Sequence, residues 1–268
     1  MLRKLFSLLK RDFLVVSSYK LDFLMYWMHA LALLFPFFFV SRMLGQTGSS
    51  HLLPYGGDYF SFVLIGLGLR RYLSHAFHSL AGTIGEEQGF GTLEALLLTP
   101  TSFKSIFSLL SLLSFLYATF NLLFYLFLGI ALFHVRLPYA NFVGASIVLL
   151  LTTMTFYAFG LFSASYTLVF KKGSSIEQLL EGFSSFLGGV YFPVTLLPAW
   201  LQKASDFIPM TYVLRALRLC LLKGAPIASL GKDIFILILL TVVLFPMSLW
   251  TFGKALTKAK KDGSLVHY

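Results

Sequence analysis

The sequence predicts an all-α membrane protein with six transmembrane helices. An N-terminal interfacial helix precedes them, and broken or re-entrant outer helices precede the last span. Three observations carry this. Of 268 residues, 57% are hydrophobic and only 12% charged, about half the charged fraction of a soluble domain. Several apolar runs approach or exceed the ~20 residues that cross a bilayer. Lys and Arg gather in the segments flanking those runs, where the positive-inside rule puts them. The thirty Phe and thirteen Tyr suit lipid-facing and interfacial positions and need no cofactor to explain them.

The formal charge of +10 does not point to nucleic acid, because the basic residues form no compact patch. Cys220 is the only cysteine, which excludes an intramolecular disulfide and a cysteine-based metal cluster. A cleaved signal peptide is not expected. The first apolar run is too long for the apolar region of one.

Residues 1–20 place Arg3, Lys4, Ser7, Lys10 and Arg11 on one helical face and Leu2, Leu5, Phe6, Leu9 and Phe13 on the other. They form either an amphipathic helix in the interface or a plain positive flank; both readings put this end in the cytoplasm. The first span is read at Leu21–Val40, with Pro36 near its outer end. A loop over 41–58, rich in Gly and Pro, leads to a second span from Tyr59 to Gly82–Gly85. The third span is read at Lys104–Phe133 and the fourth at Asn141–Phe170, joined by an outer turn at His134–Pro138. Ser102, Ser105, Ser108, Ser111 and Ser114 recur every third residue, a period that drifts round a 3.6-residue helix and reads as tolerated packing.

The fifth region is no simple span. Ile176–Val190 is apolar but short, and Pro193 and Pro198 follow. A second amphipathic piece, Met210–Leu222, carries Arg215 and Arg218 and is terminated by Gly224 and Pro226. It reads as lying at the external interface. Irregular backbone at this depth needs protein or a wet cavity to satisfy it. The sixth span is read at Ile234–Phe252, with a lysine-rich cytoplasmic tail over 254–268. Chain 1–268 is one transmembrane domain, its loop over 86–100 cytoplasmic and its broken segment at 191–232.

Soluble-enzyme motifs fail. Gly224 to Gly231-Lys232 has the wrong spacing for a phosphate-binding loop and is followed by Asp233, so no ATPase activity is expected of this chain. The histidines give no HExxH. His75 and His78 stand three apart, but no carboxylate lies nearby on that face.

The second span carries Arg70 and Arg71 near its centre, followed by Ser74, His75 and His78. Each central Arg costs about +2.5 to +3.5 kcal/mol, against ~0.3–0.6 recovered per Leu, Ile, Phe or Val. Either Arg71, His75 and His78 face the interior, a subunit seam or a wet cavity, or the span is shifted so that they reach the cytoplasmic surface. Interior ionisable residues of membrane proteins are functional candidates.

Glu86–Pro100 is the most polar run of the first half. Thr92 suits a helix N-cap, Glu94 the positive helix end, and Pro100 the stop. Leu93, Leu96 and Leu97 share a face. Such a helix either rests on lipid or docks a soluble partner.

The run Glu87-Gln88-Gly89-Phe90-Gly91-Thr92-Leu93-Glu94-Ala95-Leu96-Leu97-Leu98-Thr99-Pro100 resembles the Glu-Arg-x-x-Gly-Thr-x-Glu-x-Leu-x-x-Thr-Pro signature of ABC-2-type transporter permeases. Phe192-Pro193, Leu197-Pro198-x-Trp200, Ile208-Pro209-Met210-Thr211-Tyr212 and Ala216-Leu217-Arg218 resemble that family's fifth-helix and re-entrant region. The resemblance implies the membrane subunit of an exporter in the bacterial inner membrane. It implies both termini inside, a homodimer or paired permease, and separate ATPase subunits that bind ATP and magnesium, with no cofactor in this chain. It implies a cytoplasmic coupling helix that meets the ATPase through Glu87, Gly91, Thr92, Glu94 and Pro100, with Gln88 departing from the family's Arg. It also puts Arg71, His75, His78, Tyr191, Phe192 and Pro193 in or near the pathway or dimer seam. The cargo implied is an amphiphile of drug, lipid or glycan type. An ion-coupled carrier using Arg71, His75 and His78, or a non-transporting scaffold, are the alternatives.

Overall fold

A computed structural model describes residues 20–44, 50–89, 103–137, 140–170 and 174–261. Within them every regular element is helical. Eight α-helices run in order: α1 (Lys20–Leu44), α2 (Tyr59–Gly89), α3 (Phe103–Phe133), α4 (Phe142–Phe170), α5 (Ser174–Leu187), α6 (Ala199–Ser205), α7 (Pro209–Lys223) and α8 (Gly231–Lys261). Short 3-10 turns occupy Ser50–Tyr55, Val194–Leu196 and Ile227–Leu230.

Four stretches are long and apolar enough to cross a membrane: Trp27–Leu44, Leu112–Phe133, Phe142–Phe170 and Ile227–Ala259. The six expected spans therefore meet that standard in four places among the described residues. α2 falls short because Arg70, Arg71, His75 and His78 interrupt it, and α5 because it has 14 residues. The interior explains α2's composition. It packs against α1, α3, α4, α5 and α7, and Phe62 to Leu69 are buried, so little of it needs to be soluble in lipid. α1 packs on α2 with Ala30 and Leu34 buried, sets Trp27 against Phe120 and Phe124 of α3, and turns Leu24, Met28, Phe35 and Phe39 outward. α8 lies along α4, where hydroxyls of Thr155 and Thr241 meet at 2.7 Å.

Helix ends follow local chemistry. Asp58 opens α2 by accepting from the backbone N–H of Phe60 (3.3 Å) and Ser61 (2.8 Å). Asn141 opens α4, its Oδ1 accepting from Gly144 N at 2.9 Å while its amide donates to the Ala225 carbonyl. α3 closes at His134, which takes a left-handed φ of 56° and lets Val135 N bond back to Gly129 O. Gly224, at φ 63°, closes α7 as expected.

Several boundaries move. α2 continues to Gly89, beyond the expected end at Gly82–Gly85. α8 continues past Phe252 to Lys261, so the first part of the expected tail is helix. α7 is a correction of substance. Expected at the external interface, it is packed against α2, α4 and α8, with Val213, Leu214, Ala216, Leu217, Arg218 and Cys220 buried. Its two arginines meet protein partners. Arg215 grips both carboxylate oxygens of Asp233 at the start of α8, and Arg218 is held by carbonyls. The expected interfacial helix over 1–20 lies outside the described residues, save Lys20, which begins α1.

Candidate functional site

Four-residue spacing puts Arg70, Ser74 and His78 on one face of α2, and Glu177 and Glu181 on one face of α5. The two faces meet. Arg70 Nε donates to Glu181 Oε1 at 3.1 Å, and its Nη1 donates to the Tyr191 hydroxyl at 2.9 Å. Two turns on, His78 Nε2 stands 3.4 Å from Glu177 Oε2. Glu177 also accepts from the hydroxyl of Ser163 on α4, and it is buried. The carboxylates are the withdrawn members of both pairs, whereas the Arg70 and His78 side chains are 39% and 44% exposed, so losing the cation costs more than losing the carboxylate.

The His78 ring carries a proton constraint. Its Nδ1 lies 2.8 Å from the Ser74 carbonyl oxygen, which only accepts, so Nδ1 holds the hydrogen. In a neutral ring Nε2 would then turn a lone pair on Glu177. The contact is favourable only with one further proton, on Nε2 or on the carboxyl.

His75 turns the other way. Its Nε2 meets the Asn121 amide of α3 at 3.4 Å, and its ring meets Tyr117 edge-on. Asn121 is fully buried, and its Oδ1 has no hydrogen-bond partner among the described residues. Close by, the Tyr72 hydroxyl bonds Thr153 at 2.6 Å. His75 and His78 thus serve different helices. Among the described residues no three metal-ligating side chains converge. The face of α2 that carries His78 has no carboxylate nearby in sequence, and the one that reaches it comes from α5, which spacing along one helix does not reveal. Arg71 is half-buried, and beside it Arg70 pairs with Glu181.

Tyr191, Phe192 and Pro193 also separate. Tyr191 joins the seam through Arg70 and stacks on Phe37, ring centroids 6.0 Å apart. Phe192 packs edge-on against Phe186 of α5. Pro193 is buried and heads the Val194–Leu196 turn.

The backbone between them is tied down by α7. Arg218 donates from Nε to Phe62 O (3.1 Å), from Nη1 to Gly189 O (2.8 Å) and from Nη2 to Val190 O (3.0 Å). Its guanidinium carbon lies 3.3 Å from the centre of the Phe62 ring. Gly66 makes room: a Cβ there would run into the Val190 carbonyl and stand 2.8 Å from Arg218 Nη2. Beside this clamp lies a cavity of about 410 Å³, with Tyr55, Pro193, Lys203, Asp206, Arg215 and Arg218 in its wall.

Of the residues expected to couple to an ATPase, Glu87 belongs to the last turn of α2. Gly91, Thr92, Glu94 and Pro100 lie outside the described residues. Sequence reasoning missed Glu177, Glu181 and Gly66 and gave Arg218 no role. A signal existed for the first pair: two glutamates four apart in a segment with no other charge, matching a cationic face elsewhere.

The ABC-2 type transporter family model matches residues 3–222. Among curated proteins, the inner membrane transport permease YadH of Escherichia coli strain K12 is 25% identical over 169 residues, 61% of this chain and 63% of that protein. The protein of the same name from Shigella flexneri matches to the same extent. The matched stretch thus spans about 63% of the length of these relatives.

Proposed function

This chain belongs to the ABC-2 type transporter family, and on that premise we propose that it is the membrane-spanning subunit of an ATP-driven exporter. Separate ATPase subunits bind ATP and magnesium, and an amphiphilic cargo of drug, lipid or glycan type leaves between two permease copies, identical or paired. The membrane is the bacterial inner membrane, as the relatives' name has it for them. Six spans cross it with both termini inside. α2 and α5 with its turn supply the second and fifth, and residues 191–232 form the outer re-entrant part.

The observation that carries this reading is α2 itself. It is one uninterrupted helix of 31 residues, about 46 Å at 1.5 Å per residue. At one end its Phe62 carbonyl is clamped by Arg218, at its middle Arg70 pairs with Glu181, and at the other end it delivers Glu87. Force applied at the loop over 86–100 reaches the α2–α5 seam through a rigid rod. In this mechanism Glu87, Gly91, Thr92, Glu94 and Pro100 seat in the ATPase. Closure of the ATPases tilts α2, and the Arg70–Glu181 and His78–Glu177 contacts either travel with it or exchange partners.

Co-purification with an ATPase encoded beside this gene tests the reading. Glu94→Lys and Gly91→Trp should abolish it while the permease stays folded. Unchanged assembly in both variants would remove the coupling role. One observation favours an ion-coupled carrier instead, the buried Glu177 against His78. Export that collapses with the membrane gradient while ATP persists would decide for it.

A further inference from the structure

We propose that the cavity beside Arg218 binds the phosphate headgroup of a lipid-like amphiphile; this deepens the permease reading and rests on it. The cavity forms where the Ser50–Tyr55 turn, the Val194–Leu196 turn, α6 and α7 meet. At about 410 Å³ it falls within the ~300–1,000 Å³ of small-molecule sites.

Its charges do not cancel. Arg215 is neutralised by Asp233. Arg218, one turn further along the same helix, is 3% exposed and bonded only to carbonyls. No carboxylate pairs with it among the described residues. Carbonyl dipoles solvate a guanidinium without supplying the opposite charge, and a buried cation normally finds that charge. Three of its five N–H donors are used, which leaves one on each Nη for an oxyanion. Lys203 adds a second cation, and among the described residues Asp206 is the one carboxylate besides Asp233 that reaches this neighbourhood. The surplus is positive.

The surroundings suit an amphiphile over a free ion. The segments that build the cavity also hold Leu196, Trp200 and Phe207 exposed, the last two at 70% and 84%. A headgroup on Arg218 and Lys203 would leave its tail against these side chains and the bilayer. In the proposed topology this is the outer end of the protein, where cargo is held before release.

The test uses the full-length permease in detergent, without ATPase. Binding of short-chain phosphatidic acid is read from tryptophan fluorescence and compared with phosphatidylcholine of equal chain length and with inorganic phosphate. Phosphatidic acid should bind at least about tenfold more tightly than either. Lys203 and Asp206 are exposed, so their variants should fold. Lys203→Glu should weaken binding about tenfold and Asp206→Asn should strengthen it about threefold, both effects shrinking in high salt. Arg218→Gln should abolish binding if the protein folds. Equal affinity for phosphatidylcholine, inorganic phosphate binding as tightly as the lipid, or indifference to both exposed variants would overturn the proposal. ATPase co-purification is measured separately, on the permease expressed together with the ATPase encoded beside its gene. Its loss in the unmodified chain would sink the exporter reading, whereas retained assembly with no selective lipid binding would sink only this site.

Discussion

Arg218 Nη2 lies 2.8 Å from the point a Cβ on Gly66 would occupy, and the Val190 carbonyl lies closer still. One missing methyl thus lets α7, α2 and the turn after α5 converge. Gly66→Ala must push apart backbone and a buried guanidinium, neither of which yields easily. Overpacking of this kind costs about 1–3 kcal/mol, so the variant should melt several degrees lower in detergent, and Gly66→Val lower again. An unchanged melting temperature for Gly66→Val would show that the clamp is looser than its geometry.

The Arg70–Glu181 pair predicts non-additivity. Arg70 is partly exposed and Glu181 nearly buried, so each single change to Leu should cost about 1–3 kcal/mol, with Glu181→Leu at the milder end. Changing both should cost less than the sum by about 1 kcal/mol or more. A double-mutant cycle on thermal stability reads this directly, and strict additivity would mean that water screens the pair. Tyr191→Phe removes one acceptor from Arg70 and should cost about 0.5–1.5 kcal/mol.

How much of this was legible depends on how far in sequence each partner lies. The start of α2 at Tyr59 and the stop of α7 at Gly224 follow from neighbouring residues, and both were readable. The seam joins residues more than a hundred positions apart, such as Arg70 and Glu181. The sequence singles out Arg71, and only the placement of α5 reveals the partner of Arg70. α7 failed for the same reason. Two arginines against an apolar face resemble a surface helix until Asp233 and the carbonyls of Phe62, Gly189 and Val190 are brought to them. His75 and His78 looked like one cluster because a three-residue step keeps them near each other, yet the 60° between them is enough to send one to α3 and the other to α5.

The proton constraint at His78 sets the sign of a substitution. With Nδ1 donating to the Ser74 carbonyl, a neutral ring offers Nε2 as an acceptor. Glu177→Gln supplies an amide N–H there and should be tolerated, within about 1 kcal/mol of the parent. Glu177→Leu strands both Nε2 and the Ser163 hydroxyl and should be clearly worse. If Gln proves as damaging as Leu, the pair is an imidazolium with a carboxylate and charge, not hydrogen bonding, holds it. Transport assays on the Gln variant separate structure from mechanism. Retained export excludes a proton cycle through Glu177, and loss of export in a stable protein supports one.

The rod-like reading of α2 is tested by breaking the rod. Three glycines inserted after Gly85 lie beyond the Arg70 and His78 contacts and before Glu87, so the seam and the docking residues both keep their own surroundings. Glycine lowers helix stability by about 1 kcal/mol per residue relative to alanine, and the insertion adds nearly a full turn of compliant chain between ATPase and seam. The expected outcome is a complex that still assembles, with ATP hydrolysis no longer stimulated by cargo and export largely lost. A helical insertion of equal length, three alanines, keeps the rod stiff but rotates the loop by about 300°, or −60°. It should retain more coupling than the glycines, because stiffness survives where register is only slightly altered. If both insertions export as well as the parent, motion does not travel along α2, and its continuity from Phe62 to Glu87 is architecture alone.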